Sequence, residues 1–365
     1  MSINIYSQPN QAYSDRPEVI EFIELMSKKH QFNIQELETL FKTANFQAQV
    51  VRIMDRQPEG TMTWSRYKGI MVTKSRIDSG KEFIKKYKSD LQRAEDSYGV
   101  PSSVIASIIG IETRYGKIQG NIRVLDSLST LSFDYPRRSK FFKVQLEEFL
   151  LLCREQNFSI SEIKGSIAGA MGYGQFMPDS YRDYAVDFDG DGVKDLLNNP
   201  VDAIGSVANF LSKKGRWIPN TPIVIRAELT GKRLSVVKSY VIKGGDTISS
   251  IAENNQTDKD EIILINRIAN SNLIYEGDIL ELPIEYQIRS TFKPYMEMRD
   301  LESIGILVNS NSIDNSKVLP IKLELDRGHE YWIGFDNYNA ISRYNPSKLY
   351  IMAVFEFSKA LEFFL

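Results

Sequence analysis

The chain has 365 residues, of which 42% are hydrophobic and 25% are charged, so it is long enough for about two or three globular domains. Its formal net charge of -2 gives no electrostatic reason to bind nucleic acid, and no nucleic-acid partner is expected. A single cysteine excludes an internal disulfide, and two histidines leave little material for a zinc site or a Ser-His-Asp triad.

The first part of the chain, from residue 16 to residue 91, predicts helices. Apolar residues recur with helical spacing at 34–41 and 82–91, and Asp78 opens a Ser-Gly start signal for the second of these helices. Residues 57–61 predict a loop between the two. Amphipathic patterns predict further helices at 101–116, 125–131, 140–154 and 200–215.

After Trp217 the chain changes to alternating, β-branched segments, which are typical of strands. Within this region residues 240–283 predict a compact unit of strand, helix, helix and strand. Its first helix has a capping residue at Asp246 or Thr247. Other strands are predicted at 222–227, 317–325 and 330–335, and a last helix at 347–361.

Glu112 lies on the apolar face of the helix predicted at 101–116, which has Pro101 near its start and Gly116 at its end. Three isoleucines precede Glu112 by three, four and seven positions and share its face, so its side chain is expected to point inward. A buried carboxyl group favours its protonated form, as a general acid requires. The alternative is a structural ion pair of Glu112 with Arg114 or another base.

The segment 165–178 is rich in glycine, with four glycines in its first eleven positions. The residues between them include Ala, Met, Tyr, Gln and Phe, which favours the wall of a binding site over a flexible linker. Tyr173 offers a surface on which a sugar can stack, and Ser166 and Gln175 offer hydrogen bonds to hydroxyls or amides.

The spacing of Asp187, Asp189 and Asp191, with glycine next, matches the start of an EF-hand calcium loop, in which these oxygens converge on one cation. Position twelve of the loop is Asn198, where a bidentate Glu is expected. Asp202, four residues further on, can supply the last carboxylate. The alternative is an acidic turn that holds no ion.

Two further clusters are open to two interpretations each. Arg137 and Arg138 are either a solvated surface pair or ligands for acidic or peptide parts of a substrate. The sequence Arg-Tyr-Asn-Pro at 343–346 is explained equally well by a turn before the last helix.

Five segments taken together resemble the membrane-bound lytic murein transglycosylase B family. They are 111–116, 131–138, 168–178, 202–209 and 343–345. The resemblance covers most of the chain outside 240–283, and that segment is similar to a LysM module. The LysM family binds glycans that contain N-acetylglucosamine, so both resemblances imply peptidoglycan.

The resemblance implies an α+β fold in three parts. A mainly α-helical, lysozyme-like catalytic core with a small β-rich subdomain occupies 1–236 and includes the calcium loop at 187–202. An inserted βααβ LysM module occupies 237–285. A β-segment and a C-terminal helix at 286–365 complete the catalytic domain.

The resemblance also implies roles for individual residues. Glu112 would be the sole catalytic acid and base, with Ser166 and Asn345 orienting or hydrogen-bonding its surroundings. The groove that binds the glycan would be lined by Tyr67, Arg137, Arg138, Tyr173, Gln175 and Tyr344. A structural Ca²⁺ would be held by the side chains of Asp187, Asp189, Asp191 and Asp202 and by the carbonyl of Val193. No organic cofactor is expected.

The implied reaction cleaves the β-1,4 bond between N-acetylmuramic acid and N-acetylglucosamine and leaves a 1,6-anhydro-muramoyl end. Because one carboxylate suffices when the substrate's own C6 hydroxyl attacks, no second acid is needed. The alternatives are a hydrolytic muramidase on the same scaffold and a catalytically idle scaffold that binds peptidoglycan.

The expected partners are peptidoglycan glycan strands, with cell-wall synthesis or remodelling proteins as further candidates, and the chain is expected to be a monomer. Residues 1–16 lack the hydrophobic core of an export signal, and no apolar run is long enough for a membrane span. The substrate implies the periplasm, with an outer-membrane anchor outside this sequence as an alternative.

Overall fold

The structure is a computed structural model, and it describes residues 12–55, 62–231, 233–307 and 316–365. The loop predicted at 57–61 lies outside these residues. The chain divides into two compact units. Unit 1 contains the residues up to Met62 together with Arg66–Pro219 and Arg343–Leu365, and unit 2 contains Thr63–Ser65 and Asn220–Ser342.

Helices make up most of unit 1, and eight of the ten strands of the described residues lie in unit 2. In chain order the helices of the described residues are α1 (Pro17–His30), α2 (Ile34–Lys42), α3 (Ala48–Asp55), α4 (Trp64–Met71), α5 (Lys74–Lys86), α6 (Lys88–Tyr98), α7 (Ser102–Thr113), α8 (Val124–Phe133), α9 (Ser139–Glu155), α10 (Pro178–Tyr184), α11 (Pro200–Lys213), α12 (Ile248–Asn254), α13 (Lys259–Ile265), α14 (Asp336–Ser342) and α15 (Lys348–Glu362). The strands are β1 (Ile122–Arg123), β2 (Lys164–Gly165), β3 (Val224–Arg226), β4 (Glu228–Leu229), β5 (Ser235–Val241), β6 (Ile279–Glu285), β7 (Met296–Glu297), β8 (Ile306–Leu307), β9 (Lys317–Glu324) and β10 (His329–Gly334). The predicted α+β class is confirmed.

Helix α7 is the central helix of unit 1. It follows Pro101 and ends where Arg114 and Tyr115 take left-handed backbone angles, with φ of 50° and 60°. Helices α5, α6, α11 and α15 pack around it. Every residue of α7 except Glu112 is buried, so this helix has the all-round apolar character of a core helix.

The helix predicted at 82–91 with a start at Asp78 is wrong in its bounds. Helix α5 begins earlier, at Lys74, where the Thr73 hydroxyl accepts a hydrogen bond from the Arg76 amide at 3.3 Å. The helix then breaks at Tyr87, whose φ of -116° and ψ of 29° lie outside the helical region, and α6 follows. The break was not visible in the sequence because apolar residues continue with helical spacing across it.

The other predicted helices are confirmed to within a few residues. They are those at 34–41, 125–131, 140–154, 200–215 and 347–361. The helix predicted at 101–116 is confirmed as α7, although it ends at Thr113.

Unit 2 contains a four-stranded antiparallel sheet in the order β3-β10-β9-β7. The strands predicted at 317–325 and 330–335 are β9 and β10 of this sheet. Its apolar side chains pack with those of the 3-10 helix Met298–Ile304 into one core, which includes Leu301, Ile306, Val318 and Ile333.

The segment predicted as a βααβ unit has that arrangement. Strands β5 and β6 pair antiparallel over seven residues each, and α12 and α13 lie between them in the chain. Thr247, rather than Asp246, caps α12 by accepting from the Ser250 amide at 3.1 Å. The unit has its own core, which includes Ile248, Ile251, Ile262 and Leu282.

The length and apolar character of the helices decide whether one of them can span a membrane. Among the described residues, no helix combines the length and the apolar character that a bilayer span needs.

Candidate active site

Glu112 and Tyr350 meet where α15 packs against α7. The Tyr350 hydroxyl donates a hydrogen bond to Oε1 of Glu112 at 2.6 Å. Tyr350 is only 3% exposed and lies in the first turn of α15, which Ser347 caps. Burial, and then the charge of Glu112, raise the pKa of Tyr350 well above its ordinary value, so its hydroxyl stays protonated and remains a donor.

The Glu112 side chain is half-buried. The sequence predicted that it points inward with the isoleucines of α7, yet it is the one residue of the helix that is not buried. Its neighbours Ile111 and Thr113 are buried, so the opening in the last turn of α7 is confined to Glu112. The carboxyl group is therefore both held by a buried donor and accessible to a ligand.

Two further tyrosines lie in the surroundings of Glu112. The Tyr344 hydroxyl donates to the carbonyl of Gly174, and burial together with the charge of Glu112 raises the pKa of Tyr344 well above its ordinary value. A Cβ at Gly174 would lie 2.8 Å from the Tyr344 hydroxyl, so this contact requires glycine. Tyr67 is 4% exposed and is close enough to raise the pKa of Tyr350 further.

Cationic side chains also stand near Glu112. Arg76, in the first turn of α5, donates to the carbonyl of Met71 at 3.1 Å. Burial lowers the pKa of Arg76, as does the charge of Arg114, while Glu112 opposes that shift. One electrostatic cluster therefore surrounds the end of α7. It consists of Arg76 and of groups whose charges shift its pKa, among them Glu112, Tyr67 and Arg114.

In the glycine-rich segment, the predicted polar residues bond to the segment's own backbone and its neighbours. The hydroxyl oxygen of Ser166 accepts from the Ala170 amide at 3.0 Å. Gln175 has a left-handed φ of 50°, and its side-chain amide donates to the carbonyl of Gln119 at 3.0 Å and to that of Gly172 at 3.1 Å. These bonds give the segment a defined shape, and its role as the wall of a binding site stays a prediction.

Tyr173 is tied to the end of α7 by its backbone. Its carbonyl accepts from the Thr113 hydroxyl at 2.8 Å, and its ring lies against Gly116, where a Cβ would be 2.3 Å away. Burial raises the pKa of Tyr173, Tyr87 adds to this rise, and the charge of Lys86 opposes it.

The remaining predicted binding residues make contacts of other kinds. Arg137 is exposed and lies 3.3 Å from the Asp55 carboxylate, and the Arg138 guanidinium lies 4.4 Å from the ring centre of Phe141. The carbonyl of Asn345 accepts from the Ser347 amide at 2.9 Å, immediately before α15. Their roles toward a substrate stay predictions.

An acidic cluster in unit 1 contains three of the five predicted metal ligands. Carboxylate oxygens of Asp187, Asp189 and Asp202 lie within 4.8 Å of one another. Asp202 is fully buried, and its two oxygens accept from the amides of Phe188 at 2.7 Å and Asp195 at 2.8 Å. Burial, and to a smaller extent Asp189, raise the pKa of Asp202.

This donor set consists of hard oxygens, which suits a hard cation such as Ca²⁺. Asp187 accepts from the amides of Gly190 at 2.7 Å and Gly192 at 2.8 Å, and these bonds lower its pKa. The other two predicted ligands are exposed, and Asp191 accepts from the Val193 amide at 2.8 Å.

Tyr350 was not among the residues predicted from the sequence. The signal that could have found it is a tyrosine within the apolar run that begins α15, because a buried tyrosine hydroxyl usually has a hydrogen-bond partner. The identity of that partner was not predictable, since Glu112 is 238 positions away in the chain.

A helical core that holds a half-buried glutamate as a candidate general acid is typical of lysozyme-like enzymes that cleave glycans. Comparison with known proteins identifies the family. The model of the Transglycosylase SLT domain matches residues 14–261 and 281–359, and that of the LysM domain matches residues 240–283.

Relatives of known sequence or structure agree. Membrane-bound lytic murein transglycosylase B of Escherichia coli K12 is 34% identical over 358 residues, which cover 96% of this chain and 84% of that protein. The crystal structure of soluble lytic transglycosylase SltB1 from Pseudomonas aeruginosa is 35% identical, with a TM-score of 0.74 over 94% of this chain and 98% of that one. Escherichia coli Slt35, solved in complex with calcium, is 33% identical, with a TM-score of 0.71 over 98% of this chain and 96% of that one.

The chain belongs to the Transglycosylase SLT family and contains a LysM domain. It is therefore a lytic transglycosylase, a lyase that cleaves peptidoglycan. The resemblances derived from the sequence are confirmed.

Proposed function

We propose that the chain cleaves the β-1,4 bond between N-acetylmuramic acid and N-acetylglucosamine with Glu112 as its single acid and base. The observation that supports this most strongly is the Glu112 carboxyl group itself. It is the one side chain of α7 that is not buried, and a buried tyrosine donates to it at 2.6 Å.

The reaction needs one proton donor and one proton acceptor in sequence. Protonated Glu112 gives its proton to the glycosidic oxygen as the bond from C1 of the muramoyl residue breaks, which frees the 4-hydroxyl of N-acetylglucosamine. The muramoyl C6 hydroxyl then attacks C1, and the Glu112 carboxylate takes its proton. The new C6–O–C1 bond closes the 1,6-anhydro ring, and Glu112 is again protonated without any water being consumed.

Tyr350 supports both steps by positioning the acid. Because its hydroxyl stays protonated, it can donate to Oε1 of Glu112 at 2.6 Å throughout the cycle. A carboxyl group held in this way keeps one orientation toward the bond it must protonate.

The glycan would bind in the groove onto which the Glu112 side chain opens. By the family resemblance Tyr67 and Tyr344 would line this groove beside the broken bond. Tyr344 is half-buried and feels the charge of Glu112, whereas Tyr67 is only 4% exposed and would support the groove wall rather than offer a ring face. Further groove contacts predicted from the family resemblance are those of Ser166, Tyr173, Gln175, Arg137, Arg138 and Asn345.

A structural Ca²⁺ is also proposed for the loop at 187–202. Asp187, Asp189 and Asp202 would hold it through carboxylate oxygens, with Asp191 and the Val193 carbonyl as further ligands. The ion would supply positive charge that relieves the repulsion among these acids. Because Asp202 belongs to α11, the ion would tie the loop to a helix that packs on α7.

The proposed setting follows from the substrate. The Escherichia coli relative is named as a membrane-bound enzyme that acts on murein, and we assign this chain to the periplasm with peptidoglycan strands as its partner. The LysM domain would bind N-acetylglucosamine units of the same polymer, and residues 1–236 and 286–365 would form the catalytic domain.

The test is the Glu112→Gln variant acting on purified peptidoglycan sacculi. Glutamine keeps the size of the side chain but can neither donate nor accept the catalytic proton, so release of soluble fragments should fall by about 10²-fold to 10⁴-fold or more. The thermal midpoint should stay within a few degrees of wild type. Retention of full activity by a folded variant would overturn the assignment of Glu112.

A further inference from the structure

A cavity of about 550 Å³ in unit 1 lies beside α5, and we call it the α5 cavity. Its wall includes Glu82, Phe83, Lys86, Tyr87, Lys117 and Tyr173. Among the residues that line it, none is Glu112, Tyr67, Tyr344 or Tyr350, and Tyr173 is the one predicted groove residue that it shares. The volume falls in the range of about 300–1,000 Å³ that is usual for small-molecule sites.

One wall of the α5 cavity is aromatic. The Phe83 ring stacks on that of Tyr115 at 4.8 Å with an interplanar angle of 29°, and it also contacts the Tyr87 ring at 4.8 Å. The Tyr173 ring lies against Gly116 and joins this wall. The Tyr115 hydroxyl is buried, and the fixed aromatic rings of this wall suit the apolar face of a pyranose sugar.

Two lysine ammonium groups give the α5 cavity a positively charged part beside its aromatic wall. The Lys86 Nζ lies 5.0 Å from the ring centre of Tyr87 and hydrogen-bonds to the Tyr87 hydroxyl, which together with that group's charge raises the pKa of Lys86. Lys117 adds the second group. Of the two acids in the wall, Asp78 is paired with Lys74 at 2.9 Å, so the lysines outnumber the acid that remains.

The α5 cavity is connected through the chain to the end of α7. Glu112 is the second-to-last residue of that helix, and Tyr115, which lines the cavity, follows three positions later. The Tyr115 backbone is left-handed and its ring is enclosed, so the segment between the two has little freedom to move independently.

We propose that the α5 cavity is a second peptidoglycan-binding site, which takes an amino sugar together with a carboxylate carried by the muramoyl unit. This inference rests on the proposed function, because it assumes that the chain acts on peptidoglycan. The carboxylate has two sources in that polymer. It belongs either to the lactyl ether of a muramoyl residue without a peptide or to the peptide stem, in which the lactyl group is an amide.

The test is a ¹⁹F NMR titration of the full chain carrying Glu112→Gln, with 3-fluorotyrosine in place of tyrosine. The Tyr87 signal is identified by its loss in Tyr87→Phe. Three probes separate the chemistry: the disaccharide N-acetylglucosaminyl-N-acetylmuramic acid, the same disaccharide with its peptide stem, and chitotetraose, which has no carboxylate. A saturable shift of the Tyr87 signal with the first or the second probe is expected, and the more potent one identifies the source of the carboxylate.

A charge-reversal pair tests the role of the lysine. Lys86→Glu should raise the concentration of the carboxylate probe at half-saturation by about tenfold, because an attraction becomes a repulsion. Lys85→Glu is the matched control, since Lys85 is exposed on the same turn of α5 and does not line the cavity. It should leave the titration unchanged.

Two results would overturn the proposal. One is a Tyr87 signal that no probe shifts, and the other is a shift with chitotetraose that equals the shift with the muramoyl probes and is indifferent to Lys86→Glu. Either result can occur while Glu112 still cleaves sacculi, and loss of cleavage alone leaves the NMR titration interpretable. Failure of the second site and failure of the catalytic assignment are therefore distinguishable.

Discussion

Removal of one oxygen atom in Tyr350→Phe should slow catalysis while leaving the fold intact. The hydroxyl makes a 2.6 Å hydrogen bond to the Glu112 carboxyl group, and a hydrogen bond to a charged group contributes about 1.5–3 kcal/mol. If that positioning is used in the transition state, kcat should fall by about 10-fold to 150-fold at 1.36 kcal/mol per factor of ten. The Phe ring still fills the space between α7 and α15.

The assay is turnover of soluble, uncrosslinked glycan strands at saturating concentration, with a thermal melt of each variant. Tyr338→Phe is the control, because it removes the hydroxyl of a tyrosine that is 1% exposed in unit 2. It should leave kcat unchanged. A Tyr350→Phe enzyme that melts like wild type and turns over within twofold of it would refute a positioning role for this hydrogen bond.

Three further predictions concern stability and binding. In α7, Gly110→Ala should lower the free energy of unfolding by about 1–3 kcal/mol through overpacking, because its Cβ would lie 2.5 Å from the Tyr115 hydroxyl. Tyr115→Phe should instead raise the thermal midpoint, because that buried hydroxyl has no hydrogen-bond partner. Denaturant and thermal melts of both variants measure the two effects. A calcium chelator should lower the thermal midpoint of wild type, because an ion at 100 times its Kd stabilises the folded state by about 2.7 kcal/mol. The midpoint of Asp187→Asn should respond much less to the chelator. An equal wild-type midpoint with and without chelator would contradict the calcium assignment. Replacement of 240–283 by a short linker should weaken sedimentation with intact sacculi more than cleavage of short soluble glycans, and equal losses in the two assays would indicate a structural role for the module.

Features specified by neighbouring residues were predicted well. The βααβ unit has its cap at Thr247, its apolar face and its own core within one stretch of chain, so local patterns were sufficient to describe it. Glu112 was singled out from helical spacing alone, and the acidic loop from the spacing of Asp187, Asp189 and Asp191.

Features that depend on contacts between distant parts of the chain were not predicted from the sequence. The break at Tyr87 lies inside a continuous helical pattern, and the stacking of Phe83 on Tyr115, a residue from another part of the chain, is a tertiary contact that the pattern does not encode. Tyr350 is brought to Glu112 by the packing of α15 on α7, across 238 positions. The predicted place of Tyr173 in the groove with Tyr344 stays a prediction, and its position in the wall of the α5 cavity was not visible in the sequence.

The most direct test of the central claim is mass spectrometry of the fragments that the wild-type chain releases from purified peptidoglycan. The mechanism consumes no water, so the fragments should end in 1,6-anhydro-N-acetylmuramic acid, and Glu112→Gln should release none of them. Fragments heavier by one water, with reducing muramoyl ends, would contradict the account and make the chain a hydrolytic muramidase.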